Sequence, residues 1–156
     1  MEPDQIELFK EAIQVELNLS KLYCLYSEIY KDDGNFWLQL STEEMNHATL
    51  LKTGMDEFSD MNLFPDELYH EDLDELKQVN YVLKQMKEAY SQNPIDKKIA
   101  YNIALNLEES NQEKQYNIFM NKIPPESKAM KLFQSLNGDN KNHIERIKNL
   151  INKIDK

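Results

Sequence analysis

Trp37-Leu38-Gln39-Leu40-Ser41-Thr42-Glu43-Glu44-Met45-Asn46-His47-Ala48-Thr49-Leu50-Leu51 is the stretch from which the fold is read. At steps of three and four, Trp37, Leu40, Glu44, His47 and Leu51 fall on one side of a helix. An acid and an imidazole thus stand in a stripe that packing alone would fill with leucine. The preceding segment repeats the anomaly, with Glu16 in the middle of a stripe of Ile6, Phe9, Ile13, Ser20, Tyr23 and Tyr30. The second half of the chain repeats the pair. Glu109, Tyr116 and Asn140-x-x-His143 correspond to Glu16, Tyr23 and Glu44-x-x-His47, with Asn in the acid position. The separation is 93 residues from Glu16 to Glu109 and 96 from His47 to His143, so three residues added in a loop account for the difference.

Around this core the chain reads as all-α. Helix one is expected from Asp4, with Glu7 as capping-box partner, to about Tyr30, and Lys31-Asp32-Asp33-Gly34 makes a turn. Helix two runs from Asn35 to Phe58. The stretch from Ser59 to Glu71 reads as loop, and a shorter helix follows from Asp72, with Leu73, Leu76, Val79, Leu83, Met86 and Tyr90 on one side. Asn93-Pro94 restarts the chain as helix three, with Pro at the tolerated first position, ending near Asn121. Pro124-Pro125-Glu126-Ser127 turns into helix four, which continues to about Ile154. Asn137-Gly138 is a turn signal that could kink helix four just before His143, whereas the ungapped match of Leu136 to Leu40 and of His143 to His47 argues for a continuous helix. A helix of roughly 27 residues is about 40 Å long, and the link from Phe58 to Pro94 can span that length. The expected architecture is a four-helix bundle in one domain over residues 1–156. Its helix pairs cover 4–58 and 94–154, and one long crossover over 59–93 carries the extra short helix and covers an apolar edge.

Bulk properties narrow the function. The chain has 156 residues, enough for one domain with a core. A net charge of −10 and a pI near 4.8 argue against a duplex nucleic-acid surface or a polybasic membrane anchor. No run approaches a membrane span, and Met1-Glu2-Pro3-Asp4 is acidic where a secretory signal is basic, so cytoplasmic residence is expected. Cys24 is the single cysteine, which excludes an internal disulfide and a Cys-x-x-Cys knuckle.

Buried carboxylates that face one another must protonate or find cations. Residues at i and i+3 project together, so Glu44 and His47 can address one ion. Helix four repeats the stripe as Phe133, Leu136, Asn140, His143, Ile147 and Leu150. Helix three is read with Asn102, Asn106, Glu109, Glu113, Tyr116 and Met120 inward. Oxygen and imidazole donors without thiolates suit iron or manganese better than a closed zinc site. The competing reading is a polar core whose members hydrogen-bond one another. Tyr23 and Tyr116 either bond to the carboxylates or pack with their hydroxyls at the rim.

The doubled Glu, Glu-x-x-His order resembles the rubrerythrin branch of the ferritin-like superfamily over residues 4 to 154. The resemblance implies a carboxylate-bridged di-iron centre that handles peroxide or dioxygen. Glu16 and Glu109 match its terminal carboxylates, Glu44 a bridging one, and His47 and His143 its imidazole ligands. Full-length rubrerythrins add a four-cysteine iron site. Cys24 alone cannot supply it, so electrons would come from a separate donor. Asn140 stands where the second bridging carboxylate is expected. Three readings stay open: Glu113 restores the charge, the site holds a single ion or an unequal Fe/Mn pair, or the centre has decayed. The last gives a non-enzymatic bundle that binds a partner or sequesters metal. A homodimer is compatible with all three.

Overall fold

The computed structural model describes residues 3–58, 69–109 and 128–156. Among them are five α-helices and no strand. Helices α1 (Pro3–Ile29), α2 (Gly34–Phe58) and α3 (Tyr69–Gln92) lie in one compact unit, Met1–Pro94. Helices α4 (Lys97–Leu107) and α5 (Lys128–Ile154) lie in a second, Ile95–Lys156. No helix among the described residues is long and apolar enough to cross a membrane.

In the first unit α1 and α2 form an antiparallel hairpin. A 3-10 turn, Lys31–Asp33, joins them, closed by Tyr30 N–H donating to the Tyr26 carbonyl at 2.8 Å and Asp33 N–H to the Tyr30 carbonyl at 3.0 Å. Gly34 opens α2, where a Cβ would stand 3.1 Å from the Ser27 carbonyl oxygen. A residue without a side chain lets the two backbones approach there. Further along, Ser20 and Ser41 bond reciprocally: the Ser20 hydroxyl donates to the Ser41 carbonyl at 2.8 Å and the Ser41 hydroxyl to the Ser20 carbonyl at 2.7 Å. Small residues bring the helices close at this level, and the bonds fix their register. Between turn and serines, Trp37 packs tilted or edge-on against Tyr23 and Tyr26, with ring centroids 5.4 and 5.1 Å away. All three rings are fully buried.

Helix α3 is longer than the short crossover helix expected. It begins at Tyr69 rather than Asp72 and has 24 residues, nearly the 25 of α2. It runs parallel to α1, since Lys77 pairs with Glu7 at 2.8 Å and Asn80 bonds to Glu11 and Asn18 further up. Leu73, Leu76 and Leu83 are buried. Between α1 and α3 runs a polar ladder. The Asn80 amide donates to the Glu11 carbonyl at 3.0 Å and its carboxylate at 2.7 Å, Asn18 donates to the Asn80 oxygen at 2.9 Å, and Gln14 donates to the Asn18 oxygen at 2.9 Å. The apolar edge expected beneath the crossover is therefore half polar. Helix α1 is consequently buried on two sides, with Leu8, Ala12, Val15, Leu19 and Leu22 joining the stripe read from its sequence.

In the second unit α4 starts later than expected. Asp96 is its N-cap, and the carboxylate accepts from the Lys98 N–H at 3.0 Å and the Ile99 N–H at 3.4 Å. Pro94 precedes that cap rather than opening the helix. A capping carboxylate satisfies donors that a proline start would leave to water. Helix α5 runs antiparallel to α4, with Lys98 bound to Asp155 at 2.7 Å and Glu109 to Lys148 at 3.2 Å. It is unbroken through Asn137-Gly138, so of the two readings of that turn signal the continuous helix is the one observed. Gly138 is exposed, and the buried stripe of Leu136, Asn140, His143, Ile147 and Leu150 outweighs one glycine. The predicted end of helix three near Asn121 and the corner at residues 124–127 lie outside the described residues.

Candidate metal centre

Each unit carries one half of the polar pattern. In the first, α1 presents Glu16 and α2 presents Glu44 and His47, all three buried. They sit one turn beyond the Ser20–Ser41 contact, where the helices are pinned together. His47 Nδ1 is 3.1 Å from Glu44 Oε2 and 3.8 Å from Glu16 Oε2.

This crowding governs the protons. Burial, and then the neighbouring Glu44 carboxylate, pushes the Glu16 carboxyl up from 4.5 to about 8. Burial alone would pull His47 down, but the neighbouring Glu16 and Glu44 carboxylates outweigh that and hold it up at about 11. At neutral pH these two residues therefore keep two protons in a place shielded from water. Protons and metal ions compete for the same lone pairs, so a cation entering here would release them.

The second unit repeats the construction with one substitution. Glu108, Asn140 and His143 are buried, and His143 Nδ1 lies 3.8 Å from Glu108 Oε2. That is the same separation as between His47 and Glu16 on the first hairpin. Asn140 occupies the position of Glu44, three residues before the histidine. Both polar atoms of its carboxamide are buried and have no hydrogen-bond partner among the described residues. A buried amide left so costs free energy, and it is a weaker ligand than a carboxylate.

The structure corrects the reading of helix three. Glu109, expected inward, is exposed and bound to Lys148, and Asn102 and Asn106 on its stripe are exposed as well. The inward carboxylate is its neighbour, Glu108. The signal lay in the sequence: Tyr101, Ala104 and Glu108 follow steps of three and four, and Ala100, Tyr101 and Ala104 form the buried face. A stripe of asparagines and glutamates is by default the solvent face, and matching Glu-to-Tyr spacing between the halves favoured the wrong member of a Glu-Glu pair. Glu113 and Tyr116 lie outside the described residues.

Trp37, on the α2 stripe, is part of the core, and Cys24 is half-buried. Within the first unit, the buried Glu44 and His47, with Nδ1 3.1 Å from Oε2, offer a carboxylate and an imidazole that could address a metal ion. The chemistry of this pair does not identify which metal. No protein-family model, curated protein or solved structure matches the chain.

Proposed function

We propose that this is a metal-binding protein in which the two helical hairpins pack as a ferritin-like bundle of the rubrerythrin type. Their half-sites then face one another around iron or manganese. The observation that carries the reading is the first half-site, where two carboxylates and an imidazole are buried within 3.8 Å of the His47 Nδ1. Each member of such a group costs desolvation, which a proton, a hydrogen bond or a cation must offset, and a bound cation serves all three side chains at once. The donors fit the metals named: oxygen and imidazole, without thiolate.

Glu16, Glu44 and His47 would hold the first ion, with His143 and Glu108 completing the set. A bound iron or manganese ion would supply one-electron chemistry toward a small oxidant such as peroxide or dioxygen. The chain's own part is to exclude water with the Trp37–Tyr23–Tyr26 cluster, to fix the helix register through Ser20 and Ser41, and to store protons on Glu16 and His47. Electrons would come from a donor other than this site, since Cys24 cannot form a second iron centre within these residues.

Asn140 favours unequal occupancy. With an amide in place of the fourth carboxylate, one ion is held tightly and a second weakly. The rival reading, a polar bundle without metal, draws on the same residue, because a decayed site would tolerate an unsatisfied amide. Protein loaded anaerobically with ferrous iron separates the two. Under the proposal its iron is oxidised faster by peroxide than by oxygen. Equal slow oxidation by both oxidants would remove the redox part, and failure to retain iron would remove the whole.

A further inference from the structure

The first unit contains an open groove of about 360 Å³ between α1 and α3, on the side of α1 that faces α3 rather than α2. Its lining is Asn18 and Lys21 from α1, with Leu83, Lys84, Lys87, Glu88 and Ser91 from α3. Three lysines and one glutamate give this spot a net charge of +2 on a chain whose total is −10. None of the three lysines forms an ion pair among the described residues, although acids outnumber basic residues by 28 to 18 in the sequence. In so acidic a protein, three ammonium groups gathered around one groove with a single acid among them make a local positive patch.

The parallel packing of α1 and α3 explains how they meet. Lys84 and Lys87 are one turn apart on α3, and Ser91 is one turn further, so the three share a face. Lys21 is one turn past Asn18 on α1. Asn18 is buried, and its carboxamide is fixed by accepting from Gln14 and donating to Asn80. Those two bonds leave one amide hydrogen uncommitted. The Asn18–Asn80 ladder thus acts as a rigid floor, and the flexible lysines stand around the rim.

We propose that this groove binds a small organic phosphate, a phosphate monoester dianion carrying a compact polar body. Two or three lysines neutralise the dianion, Ser91 and Asn18 offer neutral hydrogen-bonding groups, and Leu83 gives the body an apolar surface. The volume lies at the small end of the ~300–1,000 Å³ common for small-molecule sites, and it exceeds what a bare ion needs. Glu88 on the lining excludes molecules with further negative charge and favours a body bearing hydroxyls or an amine. The proposal is independent of the metal reading, because no residue of one site belongs to the other.

Isothermal titration of the full chain with glycerol phosphate, inorganic phosphate, succinate and glycerol tests it. The expected result is saturable binding of glycerol phosphate, weaker binding of inorganic phosphate, no binding of glycerol, and affinity that falls with added salt. Binding of succinate as tight as that of glycerol phosphate would replace the phosphate assignment with a general dianion site and overturn the proposal as stated. The double variant Lys84→Gln, Lys87→Gln should weaken glycerol phosphate by roughly tenfold for each lysine. Its metal content and thermal midpoint should be unchanged, since both side chains are exposed. Absence of saturation with glycerol phosphate, or equal affinity in the double variant, would overturn the assignment.

Discussion

Glu108 and Glu109 are adjacent in sequence and opposite in circumstance. One is buried 3.8 Å from His143 and the other is exposed against Lys148. If the metal reading holds, Glu108→Gln lowers metal affinity by at least roughly tenfold, whereas Glu109→Gln leaves it unchanged; equilibrium dialysis of the two variants checks this. The protons of the first half-site make a second prediction at the same scale. Glu16 is raised from 4.5 to about 8 and His47 from 6.5 to about 11, so the folded metal-free protein holds more protons than the unfolded chain. Their stabilising contribution is complete below the unfolded values and is lost as pH rises through the folded ones. Stability of the metal-free protein should therefore fall with rising pH, most steeply between 6.5 and 8 where both groups count. The slope is about 1.4 kcal/mol per pH unit for each extra proton. Urea midpoints at pH 5.5, 7 and 8.5 measure it, and Glu16→Gln should flatten the lower part. Metal affinity should rise over the same window, because binding displaces these protons.

Two helices test how packing overrides local preference. Gly138 lies inside α5, exposed, with open space where a Cβ would be. Gly138→Ala should stabilise the protein by up to about 1 kcal/mol, seen as a higher thermal midpoint. On α3, Asn80→Ala removes the centre of the polar ladder and leaves the buried Asn18 amide without that partner. A loss of about 1–3 kcal/mol is expected in chemical denaturation. These elements also show what was legible in the sequence. The α2 and α5 stripes, from Trp37 to Leu51 and Leu136 to Leu150, were readable because apolar residues bracket each polar one at helical steps. The α4 register was not, because two adjacent glutamates fit two stripes and spacing alone cannot choose between them. The polar ladder was hidden for a different reason. Asn18 and Asn80 are 62 residues apart and gain meaning only when α3 lies along α1. The start of α4 lay beyond Pro94 because a capping Asp96 satisfies the first N–H groups, whereas a proline only tolerates the first position.

At the scale of the molecule, the chain carries two hairpins built alike. Each has a carboxylate on its first helix and an imidazole on its second, with 3.8 Å between Nδ1 and the carboxylate oxygen. The duplication recurs as geometry within each unit, with Glu108 in the place the spacing gave to Glu109, and among these buried donors Asn140 stands where the first unit has Glu44. The account rests on the claim that these buried acids and imidazoles exist to hold metal. Elemental analysis of protein dialysed anaerobically against ferrous iron or manganese, expressed as ions per chain, tests it most directly. The account predicts one ion retained per chain, a second that is lost on further dialysis, and none in Glu44→Ala. Wild-type protein that keeps no ion, or a Glu44→Ala variant that keeps as much as wild type, would contradict it.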